Sequence, residues 1–200
     1  MEYKIVRTDR KSIGIQINRK GEVVVRAPKH VSSKFISEVI EQKRNWIEKK
    51  IELLSKYGFS FSEGDILLYL GNPNTLRFRD IERIELLDNE IAVPMSLEIE
   101  QLKNYFMRKA DKVIIKRFKD LSLDYSFKKV RLSNAKTRYG SCNSKGNLNL
   151  SWRLVFAPTY VIDYVIIHEL VHLNHMNHSK QFWNEVERIM PDYKLANQWL

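Results

Sequence analysis

His168-Glu169-Leu170-Val171-His172-Leu173-Asn174-His175-Met176-Asn177-His178 gathers four of the chain's five histidines into one short stretch. On a helix, residues four apart share a face, so His168 and His172 can both turn an imidazole nitrogen toward one zinc ion about 2.0–2.1 Å away. Glu169 follows the first ligand, displaced by about 100° around the axis. That offset keeps it off the metal but within reach of a metal-bound water, where it serves as general base. His175 lies about 10.5 Å along the axis from His168, too far to share one ion with both others. His178 is farther still unless the helix stops. Asn174 and Asn177 tolerate left-handed geometry and Ser179 can cap a new helix, so a chain turning back there brings His178 onto the metal and leaves a fourth position for water. H-E-x-x-H arises by chance in roughly 1% of shuffled chains of this composition, and the third histidine lowers that about fortyfold. A Zn2+ site held by His168, His172 and His178, with Glu169 catalytic, is therefore the expectation.

Working outward, Pro158 suits the first position of the helix, which runs on through Val161, Ile162, Val165, Ile166, Leu170 and Leu173. Downstream, Ser179 to Met190 and Tyr193 to Leu200 read as two short helices, with Met190 a core residue rather than a floor beneath the metal. Upstream, Lys129 to Leu132 and Asn147 to Leu154 read as strands. Residues 136–142 form a loop or short strand between them, and Asn143 to Gly146 supply a turn. Ser96 opens a long helix with Leu102, Phe106, Val113, Ile114, Phe118 and Leu121 on one face. Short β-rich segments from Ile66 to Val93 suggest a small sheet. Ser32 or Ser33 caps another helix, whose apolar positions Phe35, Ile36, Val39, Ile40, Trp46, Ile47, Ile51 and Leu54 end near Gly58. The first 27 residues alternate as three strands, with Asn18 to Gly21 turning the second into the third. The expected class is α+β, with a β-rich N-terminal region over residues 1–95 containing one long helix and a metal-binding module over 96–200.

The chain has 200 residues, 44% apolar and 29% charged, enough to bury a core and too rich in apolar residues for collagen-like or disordered classes. A lone Cys142 excludes a disulfide framework and a cysteine-based zinc ribbon. The charged start lacks the apolar region of a signal peptide, and the most apolar run, Tyr160 to Val171, is broken by Asp163, His168 and Glu169. The expectation is a cytoplasmic protein with no membrane partner. Net charge is +10, from 34 Lys and Arg against 24 Asp and Glu. Residues 103–153 hold 14 of those cations against Asp111, Asp120 and Asp124, so the remainder is close to neutral. Such a segment suits a polyanion, nucleotide or nucleic acid, although a solvated helix face reads the same way.

Several runs resemble the YgjP-like metallopeptidase domain, a family of small zincins related in pattern to the WLM and SprT-like groups. They are Lys136-Thr137-Arg138-Tyr139-Gly140-Ser141-Cys142, Gly146-Asn147-Leu148-Asn149-Leu150-Ser151-Trp152-Arg153-Leu154, Val161 to Val165, the histidine stretch, Asn177-His178-Ser179 with Phe182-Trp183, and Trp199-Leu200. Tyr139 stands where the family usually has Trp. The resemblance implies a minimal zincin module with its active-site helix beside an antiparallel sheet, zinc on His168, His172 and His178, and Glu169 as catalytic residue. It implies cleavage of a peptide or protein substrate, as a zinc metalloendopeptidase, by a zinc-bound water. Zincins pair an extended substrate with an edge strand. Asn147 to Arg153, with Asn149, resembles that strand, and an interior strand packing Leu148, Leu150 and Trp152 is the alternative. Arg138 and Arg153 can fix a carboxylate or phosphate, or bind the scaffold. Tyr164 can reach the site and stabilise an oxyanion, or pack as a helix aromatic. Asp163 is expected to support the start of its helix. Two rival functions follow from the basic segment. One is a metal-dependent nucleoside triphosphate pyrophosphatase using Lys136, Arg138 and Arg153. The other is a metalloprotease recruited to nucleic acid by its basic face.

Overall fold

The computed structural model describes residues 2–17, 21–56, 61–135 and 137–200. It divides into two compact units, Met1–Leu67 with Thr75–Arg77, and Leu68–Asn74 with Phe78–Leu200. The division passes through the strands between 66 and 79, whereas the sequence suggested a boundary at 95.

In the first unit, strands β1 (Tyr3–Thr8), β2 (Gly14–Ile17) and β3 (Val23–Pro28) form a sheet in the order β1-β3-β2. β2 and β3 are antiparallel, as the expected hairpin requires, and β1 lies parallel to β3 on its other side. The expected turn residues 18–20 fall outside the described residues. Helices α1 (Ser33–Gln42) and α2 (Arg44–Lys56) follow, with Ser32 as cap, its Oγ accepting from Phe35 N at 3.2 Å. Val23, Val25 and Ala27 on β3 pack with Ile36, Ile40 and Ile47 to make the core. The single helix read from periodicity is thus two. Lys43, at φ −100° and ψ 5°, ends α1, and its carbonyl receives Ile47 N at 2.9 Å to start α2. Phe35 on α1 and Trp46 on α2, both counted on the apolar face, are exposed. Its expected end at Gly58 lies outside the described residues.

Strands β4 (Ile66–Tyr69), β5 (Asn72–Arg79), β6 (Glu85–Leu87) and β7 (Glu90–Pro94) form a sheet in the order β4-β5-β7-β6. In the second unit, α3 (Ile99–Leu121) buries Leu102, Phe106, Ala110, Ile114 and Phe118 along one stripe, matching the four-residue spacing of a core-facing helix. It starts at Glu98, whose N–H donates to Gln101 Oε1 at 2.9 Å, and not at Ser96. Strands β8 (Lys129–Ser133), β9 (Gly140–Cys142) and β10 (Asn147–Ser151) form a sheet in the order β8-β10-β9. It is mixed and not antiparallel, because β8 runs parallel to β10 while β9 opposes it. β10 is interior, with Leu148 and Leu150 fully buried, and β8 and β9 are the edges. The strand expected to reach Leu154 stops at Ser151, whose Oγ accepts from Arg153 N and opens a 3-10 turn over Trp152–Phe156.

Helix α4 (Thr159–Val171) is apolar on nearly every side and is buried accordingly. Pro158 is its cap residue. Arg117 on α3 grips Asp163 on α4 with Nε and Nη2, each donating to one carboxylate oxygen, so Asp163 ties two helices together where a helix-start role was expected. Helices α5 (Lys180–Ile189) and α6 (Tyr193–Trp199) complete the chain. The protein is α+β, and among the described residues no helix is long and apolar enough to cross a membrane.

Candidate active site

Because α4 is surrounded by apolar neighbours, whatever polar group it carries at its C-terminal end is either held by a partner or placed for chemistry. The helix ends at Val171, and His172 is its cap. Three short turns then reverse the chain. Leu173 N donates to Leu170 O, Asn174 N to Val171 O and His175 N to Val171 O, at 2.9–3.1 Å. Neither Asn174 nor Asn177 adopts positive φ, so the reversal comes from tightened helical turns and not from the left-handed asparagines expected. Ser179 caps α5 through Phe182 N, and His178, just before it, returns toward α4.

This folding brings His168, His172 and His178 together, with one ring nitrogen of each within 4.8 Å of the others. Nε2 of His168 and Nε2 of His178 are 3.0 Å apart. His172 Nδ1 lies 3.0 Å from the backbone carbonyl of His175, which can only accept, so Nδ1 carries the proton and Nε2 keeps its lone pair. Burial, helped by the other two imidazoles, holds His168 neutral down to about pH 4. Burial lowers His172 as well, with the His178 imidazole adding to it and the His175 carbonyl opposing. Three imidazole nitrogens converging on one point are the donor set of a zinc site. The residues therefore fit the ion the sequence suggests. His175 stays outside, its Nε2 3.4 Å from Glu185 Oε2 while Tyr125 donates to Oε1 of the same carboxylate at 3.3 Å. Met190, read as a core residue, is half-buried; the floor of the cluster is Phe182, fully buried, its ring 4.6–4.9 Å from all three imidazoles.

Glu169 is buried, with Oε2 lacking any protein partner among the described residues. Burial raises its carboxyl to about 7, against the opposing pull of the exposed Arg138 guanidinium. It lies directly against the edge strand. A Cβ on Gly140 would stand 2.6 Å from Glu169 Cγ and 2.8 Å from Cδ, so only glycine fits there. Cys142, two residues along β9, is half-buried, and burial aided by the Glu169 charge raises its thiol.

The other expected site residues are placed differently. Arg153 donates to Asn134 Oδ1 and Ala135 O at 3.0 and 3.1 Å and covers the Trp152 ring, a scaffold position. Asn149 sits within interior strand β10 and donates at 3.3 Å to Ser141 Oγ on the edge strand β9. Tyr164 is buried, its ring edge-on to His168 at 5.8 Å and its hydroxyl donating to Asn197 Oδ1 at 3.3 Å. Lys136 lies outside the described residues. Within the basic segment Lys103 pairs with Glu100, Arg117 with Asp163, and Lys109 covers Tyr105. Gly140 and Phe182 were legible only as members of quoted motifs; neither carries a titratable group to attract notice.

Residues 11–200 match the family described as YgjP-like, metallopeptidase domain. The chain belongs to the YgjP-like metallopeptidase domain family. Membership makes it a metallopeptidase, a metal-dependent hydrolase. Two solved structures are partly similar. The metallopeptidase zymogen of Pyrococcus abyssi abylysin is 26% identical, over 44% of this chain and 87% of that one, with a TM-score of 0.36. The metallopeptidase zymogen of Methanocaldococcus jannaschii jannalysin is 20% identical, over 43% and 90%, with a TM-score of 0.34. No curated protein matches the chain.

Proposed function

We propose that this YgjP-like domain is a zinc metalloendopeptidase in which Glu169 carries the proton. The observation behind this reading is the meeting of three imidazole nitrogens within 4.8 Å beside a buried carboxylate whose Oε2 has no protein partner among the described residues. Zinc on His168, His172 and His178, with a position left open, would supply a Lewis acid that polarises a carbonyl and acidifies water. The chain's own residues do the rest. Glu169 Oε2 takes a proton from the attacking water as the new C–O bond forms. It returns that proton to the amide nitrogen as the C–N bond breaks, so the products are a carboxylic acid and an amine, which then exchange the remaining proton to become carboxylate and ammonium. Burial raises this carboxyl in the metal-free protein, and a zinc cation beside it would favour the anion that accepts the proton. The free edge of β9 can pair with an extended peptide through main-chain hydrogen bonds, and Gly140 leaves nothing between that edge and Glu169.

The test compares wild type with Glu169→Gln, both loaded with zinc, on a mixture of unstructured peptides and on nucleoside triphosphates. The reading expects peptide cleavage by wild type, a loss of at least about a hundredfold in the variant, and equal zinc content. Phosphate release without peptide cleavage, or a variant as active as wild type, would overturn it.

A further inference from the structure

The three imidazoles are enclosed by a second set of rings that closes on itself. Trp183, in the first turn of α5, lies nearly parallel to His178, centroids 5.7 Å apart and planes at 24°. Tyr193, the first residue of α6, stacks on Trp183 at 5.4 Å and 22°. Tyr193 also stacks with Tyr164 at 6.3 Å and 20°, and Tyr164 meets His168 edge-on. The path runs from one histidine of the cluster to another through α6, which Asn197 fastens again by accepting the Tyr164 hydroxyl.

His178 is the cluster's exposed member, and it stands in a loop just before a helix cap. Neither helix geometry nor burial fixes its rotamer, so a ligand in this position loses side-chain freedom when it binds metal unless something orients it first. Phe182 meets its ring edge-on at 4.8 Å, and Trp183 covers its face. We infer that Trp183 and Tyr193 are positioning residues that hold His178 in its ligating orientation. The C-terminal helix α6 is thereby part of the metal site although it supplies no ligand. This rests on the reading of His178 as a ligand. A role confined to packing α6 onto α4 would change stability alone.

The experiment measures zinc affinity of the full chain by competition with a chromophoric chelator, alongside the melting temperature of the metal-free protein. Trp183→Ala and Tyr193→Ala are each expected to weaken zinc binding by about 10- to 100-fold, and Trp183→Phe to stay within about threefold of wild type. Val186→Ala, fully buried on the same helix, is expected to lower the melting temperature while leaving zinc affinity within about twofold. Trp183→Ala binding zinc as tightly as wild type, or Val186→Ala weakening it as much, would overturn the inference. A wild type that binds no zinc would instead overturn the reading of the site and, with it, this inference.

Discussion

Glu169 is costly to the fold in its charged form, and that cost is measurable. In the metal-free protein its carboxyl stands at about 7 against 4.5 in the unfolded chain, because burial disfavours the anion. With the folded value raised, the stability it allows is complete below pH 4.5 and is lost as pH rises through about 7. Glu169→Gln, which mimics the neutral acid, should therefore stabilise the metal-free protein at pH 8 by about 3 kcal/mol and leave it unchanged at pH 4. Denaturant titrations at the two pH values check this, and an equal effect at both would refute it. Gly140 makes the complementary prediction. Gly140→Ala forces either β9 or the Glu169 carboxylate to move, so peptide turnover should fall at least tenfold with zinc content unchanged. Near-normal turnover would mean that the strand gives way without cost.

The elements were readable where periodicity spoke for one face and unreadable where no residue type marked a change of structure. The α3 stripe was visible because Leu102, Phe106, Ile114 and Phe118 recur at helical spacing. The break at Lys43 was not, since it falls in the polar run Glu41 to Asn45, which holds no Gly or Pro to announce a helix end, and the seven-residue interval from Ile40 to Ile47 still fits one helix. The zinc-site spacing was legible because the His168–His172 interval is a helical constraint. The path that returns His178 was only half legible, as it depends on tightened turns that any residue can make. β10 could not be told from an edge strand by its alternation, because an interior strand in a mixed sheet buries the same side chains. At this scale the Arg117–Asp163 pair is the testable joint between α3 and α4. Arg117→Met should cost about 1–2 kcal/mol, the partly solvent-screened value, by stranding a carboxylate that is only 18% exposed. Chemical denaturation measures it, and a neutral result would mean that Asp163 finds water instead.

At the scale of the whole molecule, a count of charges along the chain does not say which of them the fold uses. Within the cationic segment 103–153, folding gives Arg117 and Arg153 partners in the scaffold and leaves Arg138 beside Glu169. Sequence holds no record of which side chains a fold will pair. The family match over residues 11–200 and the histidine cluster, in contrast, point the same way. If α4 and the loop that follows it share one ion, chelation should lower the melting temperature of wild type and leave His178→Ala unmoved. An ion at a thousand times its dissociation constant contributes about 4 kcal/mol. The most direct measurement is elemental analysis of the purified, untagged chain beside His178→Ala. The account predicts close to one zinc per wild-type chain and a sharp fall in the variant. Wild type without zinc after reconstitution, or a variant that keeps it, would contradict the three-histidine site.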